Sequence, residues 1–246
     1  MISVLESSLF PYEMTNNIEK NIMMTSILPK LLPLERPMVI FDLETTGLAI
    51  GEDRMVEIAY RKIMPNGNVT AVAQRINPGM PIPEDAQAIH GISDEDVMNE
   101  PSFAQLCYEL WSVFEGSDVG GFNITGFDLP FLKAEFAKVG KNFDYSNKRI
   151  LDAKVLYHKV APRDMVSARN LTAAYKLYCD KAHTTAHTGA GDVEVTVEIL
   201  EKQLEKHPEF RNWDYITELH GRKKLLESVK NEHAPLIAKK PANTLF

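Results

Sequence analysis

Met38-Val39-Ile40-Phe41-Asp42-Leu43-Glu44-Thr45-Thr46-Gly47-Leu48 decides the fold. A short apolar run, Met38 to Phe41, followed by acidic and turn residues predicts a buried strand. Asp42 and Glu44 sit at the end of that strand. Side chains two apart on a strand share a face, so both carboxylates can converge on one metal site. An Asp-x-Glu pair alone carries little weight. The chain has a second one, Asp192-Val193-Glu194, and such pairs are commonly solvated surface charge. Here the pair follows an apolar strand and precedes Thr-Thr-Gly, and burying two like charges with no cation is costly.

Outward from this strand, Met55 to Ile63 and Val69 to Ile76 read as two further strands. Pro65-Asn66-Gly67-Asn68 between them carries an Asn-Gly hairpin signal. Apolar residues at 103, 106, 107, 110, 113 and 114 have helical spacing across Pro101 to Phe114. Asp118 to Phe122 is the next strand, Leu129 to Val139 a helix, Ile150-Leu151 a short strand leading into Asp152, and Asp192 to Leu204 the last helix. A three-strand meander followed by alternating helices and strands predicts an α/β fold: a mixed sheet, antiparallel then parallel, flanked by helices. Residues 1–36 read as an N-terminal extension, with an apolar stretch Ile22 to Leu28 suited to a short docked helix and Pro29, Pro33 and Pro37 as punctuation. Residues 37–206 form the main domain, and 207–246 a polar, basic C-terminal extension and tail.

With 246 residues, 44% hydrophobic and 25% charged, the chain is an ordinary globular protein with extensions. Its two cysteines, Cys107 and Cys179, form neither a metal-binding pair nor a disulfide framework. A reducing, cytoplasmic setting is the default expectation. No apolar run reaches membrane-spanning length, and the N-terminus lacks a signal-peptide pattern. A net charge of −7 gives no support for nucleic-acid binding by itself, although bound cations and a local basic strip can dominate a site.

Two more clusters carry chemistry. Asn123-Ile124-Thr125-Gly126-Phe127-Asp128 ends in an acid just before a helix; a turn and a helix N-cap account for it equally well. His187-Thr188-Gly189-Ala190-Gly191-Asp192 places a histidine on a loop rich in Thr, Ala and Gly, five residues before an acid at a helix start. A carboxylate there is favoured by the helix dipole. Histidine is the side chain suited to take a proton near neutral pH.

Taken in order, the three clusters resemble the DEDDh-type 3′→5′ exonucleases, whose members include the epsilon proofreading subunit of bacterial replicative polymerases, ribonuclease T and oligoribonuclease. The resemblance spans roughly 37–206. Phe41 to Leu48 looks like the first motif, Val119 to Asn123 through Phe127 to Leu132 the second, and His187 to Asp192 the third. His90-Gly91-Ile92-Ser93 resembles a segment of the epsilon-like members. One departure is Gly189, where alanine is usual, which implies a looser loop.

The resemblance implies a ribonuclease H-like fold and phosphodiester hydrolysis with two Mg²⁺ or Mn²⁺ ions. Asp42, Glu44, Asp128 and Asp192 would hold the ions, and His187 would be the general base. Thr45, Gly47, Leu48, Asn123 and His90 would meet the terminal nucleotide, with His90 equally placed to stabilise its own loop. Phe127 belongs to the core. The expected substrate is the 3′ end of single-stranded or frayed DNA, released as nucleoside 5′-monophosphates. RNA 3′-end processing and a non-catalytic interaction subunit are the alternatives, and a nucleotide-binding domain is disfavoured because no Gly-rich phosphate loop follows the first strand. A DNA polymerase or a sliding clamp is the expected protein partner. The clamp rests on Asn243-Thr244-Leu245-Phe246, which resembles the apolar end of clamp-binding peptides.

Overall fold

The computed structural model describes residues 24–161 and 168–221. Six strands, β1 (Met24–Thr25), β2 (Met38–Thr45), β3 (Met55–Ile63), β4 (Asn68–Arg75), β5 (Asp118–Gly121) and β6 (Ile150–Asp152), form one sheet in the order β1-β4-β3-β2-β5-β6. β2, β3 and β4 are the expected antiparallel meander, and β5 and β6 join in parallel beyond β2. The helices are α1 (Leu28–Leu31), α2 (Glu84–His90), α3 (Asp94–Val97), α4 (Phe103–Phe114), α5 (Asp128–Lys138), α6 (Ala153–Val160), α7 (Leu171–Cys179) and α8 (Gly189–Lys206).

β2 runs four residues past the apolar run because β3 pairs with it along its whole length, with an irregularity between Glu44 and Thr45. Its alternation then sorts the molecule into two cores. Met38 and Ile40 face the layer of α6, α7 and α8, packing with Leu156, Tyr178, Ile199 and Leu200. Val39, Phe41 and Leu43 face α4 and α5, packing with Leu110, Phe114, Leu132 and Phe136. Asp42 and Glu44 continue the first face, so the same period that buries Met38 and Ile40 aims both carboxylates at the α8 side.

Residues 24–36 pack into this domain. Met24 and Thr25 pair with Val69 and Asn68 at the sheet edge. Leu28 and Leu32 are fully buried in the α8 core, each contributing about 1.5–3 kcal/mol. Ser26 Oγ donates to Glu201 Oε1 of α8 at 2.6 Å. Pro29 sits in the first turn of α1, where a missing N–H is tolerated. Beyond His207, Phe210, Ile216 and Leu219 join the same core. No helix among the described residues is long and apolar enough to cross a membrane. The basic residues from Arg222 onward and the Asn243 to Phe246 peptide lie outside the described residues, as do Ile22 and Met23.

Candidate active site

The two acids of β2 meet a third from the start of α8. Thr188 caps this helix, its hydroxyl accepting from the Gly191 N–H at 3.3 Å, and Asp192 stands in the first turn. The helix therefore begins three residues earlier than its apolar spacing predicts. Carboxylate oxygens of Asp42, Glu44 and Asp192 lie within 4.8 Å of one another. Asp128 opens α5 rather than capping it, is 4% exposed, and accepts the Leu43 N–H at 3.2 Å. Its charge acts on Asp42 across the same pocket. The four predicted acids are thus brought to one end of β2.

Two residues outside the predicted set build this arrangement. Asp152, at the end of β6, accepts from the Asn123 N–H at 2.9 Å and the Thr125 hydroxyl at 2.8 Å, and caps α6 through the Lys154 N–H. It thereby shapes the loop that delivers Asp128. Asn123 takes a left-handed backbone, φ 73°, which asparagine tolerates better than most residues. Glu57 lies opposite Glu44 in the β2–β3 register and adds a fifth negative charge to the pocket.

Among the described residues, the basic side chains within 4.0 Å of these acids are Arg75, 4.0 Å from Glu57, and His183, 3.0 Å from Asp192. Burial is the first cause of raised carboxyl pKa values here, and for Asp42 and Glu44 mutual repulsion is the second. Asp42 is held well above the usual range by burial, then by Asp128, Glu44, Asp192 and Glu57. Glu44 is pushed up to about 8 by burial and then by Asp192, Glu57 and Asp128. Asp128 rises to about 7 through burial, against the bonds from its own and the Leu43 N–H. Asp192 is raised by burial and drawn back by His183 and His187. An all-carboxylate donor set with protons bound this tightly fits a hard divalent cation such as Mg²⁺ or Mn²⁺.

These shifts fix the sign of a stability prediction. Carboxyls with raised folded-state values hold their protons more tightly in the native protein than in the unfolded chain. Their contribution is complete below about pH 4 and is lost as pH rises through the values of Asp128 and Glu44, about 7 and about 8. The metal-free protein is therefore expected to melt at falling temperature over that window, with a shallower fall in Glu44→Gln. Mn²⁺ at about a hundred times its dissociation constant should restore about 2.7 kcal/mol, a rise of roughly 5–10 °C for a domain of this size. Thermal melts in chelator and in Mn²⁺ across this range check both; equal slopes for the parent and Glu44→Gln would count against the shared pocket.

His187 is exposed, with a left-handed backbone at φ 64°, and its N–H donates to Asp192 Oδ1 at 3.3 Å. The loop carrying it is largely exposed and turns back on itself before α8. A Cβ at Gly191 would fall 2.5 Å from Thr185 Oγ1, so this glycine admits the loop's close return. Gly189 is buried, and a Cβ there would meet Glu57 Oε1 at 2.8 Å. The departure from alanine leaves room for the Glu57 carboxylate at the start of α8.

At the mouth, Thr45 is buried and its hydroxyl donates to Gly47 O at 2.7 Å. A Cβ on Gly47 would fall 2.5 Å from Asp53 Oδ2, whose carboxylate accepts from Thr46 Oγ1 and the Ala49 N–H. This clamp presents Leu48, 82% exposed. His90 is buried, its Nδ1 accepts from the Ile92 N–H at 3.1 Å, and burial lowers its pKa. It braces its own loop through that bond. Phe127 packs on Phe131 at the margin of the α4–α5 core.

Residues 39–200 match the exonuclease family. The chain is 33% identical over 177 residues to a DNA polymerase III subunit epsilon-like protein of Rhodobacter capsulatus, covering 70% of this chain and 24% of that one. It is 29% identical to DNA polymerase III subunit epsilon of Treponema pallidum over 68% of this chain and 76% of that one. The fold is shared with Escherichia coli Exonuclease I in complex with a dT13 oligonucleotide, at TM-score 0.62 and 20% identity, covering 74% of this chain and 43% of that one. The chain belongs to the exonuclease family, with the mixed α/β sheet that its meander and alternation predict and the ribonuclease H-like architecture that the resemblance implies.

Proposed function

We propose that this chain is a metal-dependent 3′→5′ exonuclease that hydrolyses single-stranded or frayed DNA ends to nucleoside 5′-monophosphates. The observation that carries this is the convergence of Asp42, Glu44 and Asp192 within 4.8 Å at the end of β2, with Asp128 beside them. Asp42, Glu44, Asp128 and Asp192 hold two divalent cations, Mg²⁺ or Mn²⁺. When bound, these supply water activation and charge neutralisation at the leaving 3′ oxygen. His187, exposed on its loop, takes the proton of the attacking water. The Thr45–Gly47 turn offers backbone groups to a free 3′-hydroxyl, and Leu48 packs against the last base, while His90 braces its own loop. Asn123, held by Asp152 in the turn before Asp128, also meets the terminal nucleotide. Stacking and backbone contact favour a single-stranded end with little sequence preference. Association with a DNA polymerase is the partner reading, supported by the name of the Treponema relative.

The test is a time course on 5′-labelled single-stranded DNA and RNA of matched sequence, with and without Mg²⁺. Expected is a ladder shortening from the 3′ end on DNA, blocked by a 3′-phosphate and absent in chelator. Faster loss of the RNA would make it an exoribonuclease. Degradation of circular single-stranded DNA at a comparable rate would make it an endonuclease.

A further inference from the structure

Two histidines stand beside Asp192, and the proposed reaction uses one of them. His187 is exposed and touches Asp192 through its backbone N–H. His183 is the opposite case. Its side chain is 1% exposed, its ring packs edge-on against Tyr175 at 6.0 Å, and its Nε2 lies 3.0 Å from Asp192 Oδ1. Neither ring nitrogen makes a hydrogen bond, and the approach of Nε2 to Asp192 Oδ1 is a close polar contact. A buried polar group with no partner costs about 1–3 kcal/mol, so the carboxylate is what this ring is there to meet. Nε2 is not among the donor atoms that gather within 4.8 Å, so His183 is not itself placed as a ligand. The His183 ring and the His187 backbone N–H thus approach one oxygen of Asp192 from two sides, the second as a hydrogen bond.

We propose that His183 is a positioning residue for the metal site: its buried ring, with Nε2 3.0 Å from Asp192 Oδ1, holds Asp192 in the orientation in which it meets Asp42 and Glu44. This rests on the metal-site reading above. Ligand carboxylates depend on such outer partners, whose loss weakens metal binding by about 10–100-fold. Tyr175, bonded through its hydroxyl to Glu198 Oε2 at 2.8 Å, keeps the ring from turning away.

The test is Mn²⁺ titration calorimetry on the full chain, with thermal melts of the same samples. His183→Leu fills the space beside Tyr175 and cannot donate; His183→Gln puts an amide N–H near the position of Nε2. Expected is a dissociation constant about 10–100-fold weaker in the leucine variant, and within about threefold of the parent in the glutamine variant. A purely structural role would lower both melting temperatures and leave the Mn²⁺ affinity of the folded protein unchanged. Should the leucine variant not fold, His183→Asn, polar but too short to reach Asp192, takes its place. Parent-like affinity in the leucine or asparagine variant, or no recovery with glutamine, overturns the proposal. A parent protein that binds no Mn²⁺ overturns the metal site, and this role with it; a parent that binds and a leucine variant that binds equally removes His183 alone.

Discussion

Asp42→Ala is expected to lower exonuclease turnover by about 10³-fold or more, at least about 4 kcal/mol of transition-state stabilisation, while leaving the metal-free protein as stable as the parent or more so. Both halves come from the same geometry. Asp42 shares its pocket with Asp128, Glu44, Asp192 and Glu57, and their repulsion is relieved when one acid is removed. The same pair of effects is expected for Glu44→Ala, Asp128→Ala and Asp192→Ala. Asp128→Ala carries a separate cost, because its carboxylate also accepts the buried Leu43 N–H. Initial rates on labelled DNA at matched Mg²⁺, with melts in chelator, decide it. A near-parental rate for Asp42→Ala removes the core of the functional reading; a collapsed melt with lost activity would make these acids structural instead.

His187→Ala is expected to lower the rate by about 10²–10⁴-fold with metal affinity largely intact. Its ring is exposed, and it is the backbone N–H that reaches Asp192, so the side chain can be removed without disturbing the ligand. His187→Gly should be as inactive yet melt slightly higher. The residue sits at φ 64°, a conformation that costs a side-chain-bearing residue about 1–2 kcal/mol. Full activity in the alanine variant would make His187 a bystander. His183 and His187 then separate by experiment: loss of the first weakens metal, loss of the second slows chemistry.

The strands and helices legible in sequence are those with a strong local signal. β2 and β3 carry apolar runs, the α4 helix, α5 and α8 bury one face, and β4, with no fully buried residue, is marked by the Asn-Gly turn before it. α6 and α7 also bury a face, but over short stretches that sequence does not set apart, and the smaller elements have less still. In α2 only Ala86 and His90 are buried, and α1 has four residues with a proline among them. β1 is two residues long and exists because β4 offers an open edge. The motif acids and His187 could be picked out in order because each adjoins an element of recognisable type. Asp152 carried a faint signal, an acid closing a short strand, as did His183, a second histidine four residues before the first.

Sequence by itself determined which acids share a strand face, because alternation along β2 is a local property of an extended chain. It likewise determined that Asp128 and Asp192 fall at helix starts. That Asp192 reaches Asp42 and Glu44, that Glu57 comes opposite Glu44, and that Asp152 shapes the 123–125 loop were decided only by tertiary structure. These contacts depend on strand register and on where α8 docks. Register and docking are settled by Met38, Ile40, Leu28 and Leu200 packing together across distant parts of the chain, and no local pattern encodes that distance.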